Sequence, residues 1–217
     1  MRIRLACLLL IIVGTAYQLH ADEAEETVDS LIAQIYEMSS KLPEHSRVAD
    51  PRLSKLAALY EQNRLEELVI ESREIIRADP ANLPARYYAA TALISLRRYE
   101  AARTLLEQLL ELHPQHPALL NNLAWLYAAA TDPAIRQPQR ALELARRAVV
   151  IEPNSFHIWN TLSEAYFVNR DFERALRAAE EALRLAEQQK APADLIAKYI
   201  NHAEKCKEAL TAYSIFE

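Results

Sequence analysis

The chain has 217 residues, 51% of them hydrophobic and 25% charged, with a formal charge of −5 at pH 7. That composition suits one compact domain or a short solenoid, and it argues against a nucleic-acid binder, which needs a basic face to neutralise phosphates. Glycine excludes more. The only one is Gly14, so from Tyr17 onward there is no Walker loop, dinucleotide-binding loop or G-x-S-x-G turn, and turns needing positive φ are disfavoured. Helices joined by short turns remain.

In chain order, the first element is an export segment. Arg2 and Arg4 precede the apolar run Leu5 to Val13, and Gly14-Thr15-Ala16 follows, which fits a small-x-small cleavage site better than Leu19-His20-Ala21. This pattern predicts a cleaved signal peptide over residues 1–21 and a periplasmic or secreted protein. The alternative is an uncleaved inner-membrane anchor, although Leu5 to Leu19 falls short of the ~20 residues a spanning helix needs. After cleavage no membrane span is expected. Losing Arg2 and Arg4 takes the formal charge from −5 to −7, with Asp22, Glu23, Glu25 and Glu26 at the new start. Cys206 is then the only cysteine, so stability must come from helix packing and not from an internal disulfide.

A solitary helix comes next. Val28, Leu31, Ile32, Ile35 and Met38 share one face of a helix over Thr27 to Met38, which suits an N-terminal cap, with residues 22–48 as cap and linker.

From 49 to 187 the sequence repeats, in copies at about 50–82, 83–116, 117–155 and 156–187. Pro80 and Pro114 are 34 residues apart, as are Ala141 and Ala175; Ala102 to Ala141 and Pro114 to Pro153 are 39, so one copy carries a five-residue insertion. The first copy places Leu53, Leu56, Ala57 and Tyr60 on its first helix. Its Tyr60-to-Leu68 spacing is one residue short, which predicts a tighter turn at Asn63-Arg64. In the third, Asn121-Asn122-Leu123-Ala124-Trp125-Leu126-Tyr127 is followed by the longer loop 131–138, for which a structural role and a partner contact are both open. Small residues (Ala90, Ala124, Ser163) let the second helix of each pair approach, Ala141 and Ala148 meet them from the other side, and proline ends each pair. After the linker 188–192, a helix over Leu195 to Tyr213 carries the stripe Leu195, Tyr199, Ala203, Cys206, Leu210 and Tyr213, fit for a C-terminal cap within 188–217.

These spacings and residues resemble the tetratricopeptide repeat, over about two-thirds of the chain. The last copy carries the likeness best, through Pro153, Trp159, Leu162, Ser163, Tyr166, Ala175 and Ala182. The resemblance implies an all-α fold: a right-handed α-solenoid of about four helix pairs with N- and C-terminal capping helices. It further implies a concave face, lined by the first helix of each pair, that grips an extended peptide or a helix. The positions that point inward in that family fall here on Tyr87, Thr91, Ile94, Asn121, Trp125, Ala128, His157, Asn160, Glu164 and Phe167. Of these, Tyr87, Thr91, Asn121, Trp125, His157, Asn160, Glu164 and Phe167 are the candidate protein-binding residues. Asparagine amides can donate to and accept from a peptide backbone, while Tyr87, Trp125 and Phe167 supply apolar anchors. The family's clamp for a C-terminal carboxylate needs paired basic residues on this face, and they are missing.

No catalytic motif emerges. His202 and Cys206 are one helical turn apart, but no third or fourth metal ligand stands near them in the sequence, which favours a buried cysteine beside a partly exposed histidine. His113-Pro114-Gln115-His116 is a turn between copies. The expectation is therefore a scaffold with no catalytic residue, cofactor or metal. It would bind a protein or peptide in its groove, in cell-envelope assembly or secretion, and self-assembly into a homo-oligomer is the alternative.

Overall fold

A computed structural model describes residues 52–215. The export segment and the capping helix expected over 27–38 lie outside the described residues. Every regular element among those residues is a helix: α1 (Leu53–Glu61), α2 (Leu65–Ala78), α3 (Leu83–Ser95), α4 (Tyr99–Leu112), α5 (Pro117–Ala129), α6 (Pro138–Ile151), α7 (Phe156–Val168), α8 (Phe172–Gln188) and α9 (Ala193–Ser214). None is long and apolar enough to cross a membrane. The chain divides into two compact units, with the boundary between Ala92 and Leu93 inside α3.

In the first unit α1 packs on α2. Leu68, Val69, Ser72, Ile75 and Ile76 form the buried stripe of α2 at helical spacing. Glu66 and Glu67 sit in its first turn and Arg77 in its last, each suited to the nearer end of the helix dipole. The stripe of α1 departs from the sequence reading. Leu56 and Leu59 are buried, whereas Tyr60 is 46% exposed. The turn is not shortened: Arg64 N–H donates to Leu59 O at 2.9 Å, the same closure that Arg98 makes to Leu93 and Asp171 to Tyr166. Leu59 therefore holds the place that Leu93 and Tyr166 hold, and the register of α1 is one residue earlier than the Tyr60 alignment.

The second unit is a layered α-solenoid. Within it α4 packs on α5, α5 on α6 and α7, α6 on α7, α7 on α8, and α8 on α9. The small residues do what their spacing suggested. Ala124, Ser163, Ala102, Ala141, Ala148 and Ala175 are fully buried, and α7 and α8 approach closely enough for Ser163 Oγ to donate to Ala175 O at 2.8 Å. A branched or longer side chain at either position would wedge the pair apart.

Two devices end the helices. Asp79, His113 and Glu152 close α2, α4 and α6 with φ of −139°, −130° and −131°. Each precedes a proline, whose ring clashes with a helical conformation at the residue before it. The other ends overturn the expectation drawn from missing glycine. Asn63, Arg97, Arg170 and Lys190 adopt φ of 55°, 60°, 64° and 56°, so four left-handed turns are built without glycine. Asparagine tolerates this region; for arginine and lysine it costs about 1 kcal/mol or more per residue. Each turn is held by a hydrogen bond from the next residue back to the helix, such as Ala191 N–H to Ala186 O at 2.9 Å.

The third pair lacks this turn, and its longer loop fills the gap. Ile135 is fully buried. Arg136 Nε donates to Ala130 O at 2.7 Å, Gln137 N–H donates to Tyr127 O at 3.0 Å, and the Thr131 and Tyr99 hydroxyls meet at 3.1 Å. The insertion is a packed plug between α5 and α6.

Candidate interaction face

In the first unit, Tyr87 and Thr91 are one turn apart on α3 and half-buried. Thr91 Oγ1 donates to Tyr87 O at 2.9 Å, and the Tyr87 ring stands edge-on to Tyr88 with centroids 6.0 Å apart.

The other six candidates lie in the second unit, on the adjoining helices α5 and α7, and they divide into two sets. On α5, Trp125 is 37% exposed and Asn121 is half-buried. Asn121 Nδ2 donates to Asn122 Oδ1 at 3.4 Å, a long bond, while its own Oδ1 is buried without a donor. An exposed indole one helical turn from a half-buried amide sets an apolar anchor beside a polar group. Asn160 of α7 occupies the place equivalent to Asn121 and is half-buried.

His157, Glu164 and Phe167 on α7 meet a different fate, because α9 lies against them. Tyr199 OH and His157 Nδ1 share a hydrogen bond at 3.0 Å. Glu164 Oε2 lies 3.5 Å from His202 Nδ1 and 3.7 Å from Lys205 Nζ. Lys205 Nζ also sits 4.0 Å above the Phe167 ring, and Phe167 packs edge-on against Phe172 at 5.3 Å. The stripe of α9 was legible in the sequence. That Tyr199, His202 and Lys205 would occupy the inward positions of α7 was not, since it depends on how α9 crosses α7 and no local signal encodes that.

Behind this contact is a small buried polar cluster. Ser163 Oγ lies 2.8 Å from His202 Nε2 and 3.7 Å from Cys206 Sγ. With Glu164 near Nδ1, the line Ser163–His202–Glu164 has the outline of a nucleophile, base and acid. The proton placement is wrong for that role. Ser163 is fully buried and gives its proton to Ala175 O, so His202 must present an N–H, not a lone pair, to the serine oxygen. Burial pushes His202 below its ordinary pKa, opposed by Glu164. Burial likewise raises the Cys206 thiol, and a protonated thiol is a poor nucleophile. The expected pairing of a buried cysteine with a partly exposed histidine is what the structure contains. Among the described residues no three His, Cys, Asp or Glu side chains converge as a metal site.

The comparisons with known proteins agree with this architecture. A family model described as tetratricopeptide repeat matches residues 72–126, and one for the ChAPs (Chs5p-Arf1p-binding proteins) matches 100–190. A thermophilic tetratricopeptide-repeat protein of Thermus thermophilus, TTC0263, superposes with a TM-score of 0.59 at 19% identity, covering 75% of this chain and 86% of its own. Residues 72–126 match the tetratricopeptide repeat, and the described residues share the fold of a tetratricopeptide-repeat protein. MamA from Desulfovibrio magneticus RS-1, from residue 41 to its end, shares the fold at a TM-score of 0.51 and 17% identity, covering 76% of this chain and 98% of its own. No curated protein matches the sequence.

One core position of the repeats is unusual, and sequence reasoning passed over it. Arg86 stands where Trp159 stands in the last repeat. It is 1% exposed, and its Nε and Nη2 have no partner. Desolvation lowers its pKa to about 10. Trp159 fills the same slot with an indole whose N–H donates to Pro153 O at 2.7 Å, beside Ala182, Ala186 and Tyr199.

Proposed function

We propose that this protein is a non-catalytic scaffold that holds an extended segment of a protein partner against the inner face of α5 and α7. The observation that carries this reading is the exposed ring of Trp125 one helical turn from the half-buried amide of Asn121. An aromatic anchor beside amide side chains is suited to a peptide, whose backbone offers polar groups and whose side chains cover the ring. Asn160, one repeat on, is spaced to continue the same contact along an extended chain. The fold itself supports a protein-interaction role, because tetratricopeptide repeats generally serve one.

The basic start and short apolar run of residues 1–21 support export, and hence a role in envelope assembly or secretion. N-terminal sequencing of the protein recovered from a fractionated cell tests this; an intact Met1 in a cytoplasmic fraction would reject it.

The binding reading is tested by affinity capture from envelope extract with wild-type protein and an Asn121→Ala/Trp125→Ala/Asn160→Ala variant of equal helicity and melting behaviour. A partner held by the wild type and dropped by the variant is the expected result. Retention of the same partner by both would move the contact off this face.

A further inference from the structure

The C-terminal helix is held differently from those before it. Six of the 17 residues of α8 are buried, but only two of the 22 in α9, Tyr199 and Cys206. Around these, Leu195, Ile196 and Ala203 are only partly buried, and polar contacts complete the grip: the Tyr199–His157 hydrogen bond, the His202 and Lys205 contacts to Glu164, and Lys205 over Phe167. The surface it covers is a built receptor. Ala175 and Ala179 with Tyr166 and Phe167 receive Cys206, and Ala182 and Ala186 with Phe156 and Trp159 receive Tyr199.

One short joint ties α9 to that receptor. Lys190 is left-handed without being glycine, and Pro192 caps α9. The joint is closed by Lys190 N–H to Glu187 O at 3.0 Å and Ala191 N–H to Ala186 O at 2.9 Å. A brief hinge under backbone strain, carrying an element with its own complete set of contacts, is the arrangement that exchanges between copies.

The geometry points to α9 as an exchangeable element, and to the α7–α8 face beneath it as a docking surface for the α9 of a second copy of this chain. Every contact between α9 and its receptor reforms across the two copies, so exchange requires no new complementary surface. It replaces the strained joint at Lys190 with an open one and closes a two-fold dimer. The inference is independent of any partner bound at Asn121 and Trp125, which lie on the other set of positions.

The exchange can be read as a covalent topology. Ser163 on the receptor and Cys206 on α9 are 3.7 Å apart, so Ser163→Cys in a Cys7→Ser background places two thiols for a disulfide that records where α9 sits. After oxidation over a concentration series, denaturing gels without reductant are expected to show a covalent dimer whose fraction rises with concentration. Lys190→Gly, which relieves the closed turn, is expected to lower that fraction. Deleting Gln189 to Ala191, which shortens the joint, is expected to raise it to the major species. A purely intramolecular disulfide at every concentration, in the deletion variant too, overturns the inference. If that disulfide does not form, light scattering decides: a monomer at all concentrations, with and without the hinge deletion, overturns it equally.

Discussion

The candidate residues on α5 and those on α7 have different neighbours. At Asn121 and Trp125 an indole is exposed and an amide oxygen lacks a donor. At Glu164 and Phe167, one repeat later, the carboxylate and ring are covered by His202 and Lys205 of α9. Repeat position fixes the direction in which a side chain points, but occupancy depends on what the chain does next. After α8 the chain supplies α9, whose Lys205 ammonium matches Glu164. The covered half thus shows what the face accepts: a cation over an aromatic ring and a donor to a carboxylate, on a helical segment. The open half has no such acid, and its chemistry suits a neutral backbone.

The largest test of this contrast is on the covered side. Tyr199→Ala removes one of the two buried anchors of α9 and is expected to lower stability by about 3 kcal/mol, measured by urea unfolding. Hydrogen exchange should rise along α9 while α5 stays protected. Equal loss of protection in both helices would make α9 part of one cooperative unit with α5.

Next, Ser163→Ala strips the His202 N–H of its acceptor and Ala175 O of its donor, an expected loss of about 1–2 kcal/mol. Asn121→Ala, its counterpart on the open half, removes an oxygen that has no donor and should change stability by less than about 0.5 kcal/mol, while partner capture falls. A loss at Asn121 as large as that at Ser163 would mean that both halves are structural.

Smaller still, Arg170→Gly relieves a left-handed arginine and is expected to raise stability by about 1 kcal/mol at most, since glycine also loses more freedom on folding. The smallest effect concerns pH. His202 has a folded pKa below its unfolded value, so the unfolded chain binds its proton first. Its contribution is complete above about 6.5 and declines as pH falls below that. Exchange in α9, corrected for the intrinsic rate, should therefore quicken between about pH 7.5 and pH 5.5, and His202→Gln should flatten the change. A Glu164→Gln variant should steepen it, because the carboxylate favours the protonated ring.

Much of the fold was legible because it is periodic. Proline after each second helix, alanine at each close approach and the 34-residue spacing all express packing rules that act within one helix pair. The register of α1 was not legible at Tyr60, because Leu59 and Tyr60 are both apolar enough to head the stripe, and only the turn geometry at Asn63 chooses between them. The left-handed turns at Arg97, Arg170 and Lys190 escape the sequence for a related reason: glycine is preferred there but not obligatory, since the backbone hydrogen bonds of the turn offset the strain. The role of loop 131–138 is readable only with Ile135 in place as a plug. At the site, the choice of Trp125 and Glu164 as candidates followed from repeat position. The cover over Glu164 did not, because it is a contact between segments some forty residues apart.

The central claim is that the open half of the inner face receives a protein partner, and site-specific photo-crosslinking in the cell tests it most directly. A photoreactive phenylalanine would replace Trp125 in one strain and Val150, which is 82% exposed at the end of α6, in another. The account predicts a discrete cross-linked partner from position 125 and none from position 150. Cross-links of equal yield and identity from both positions, or from 150 alone, would contradict it.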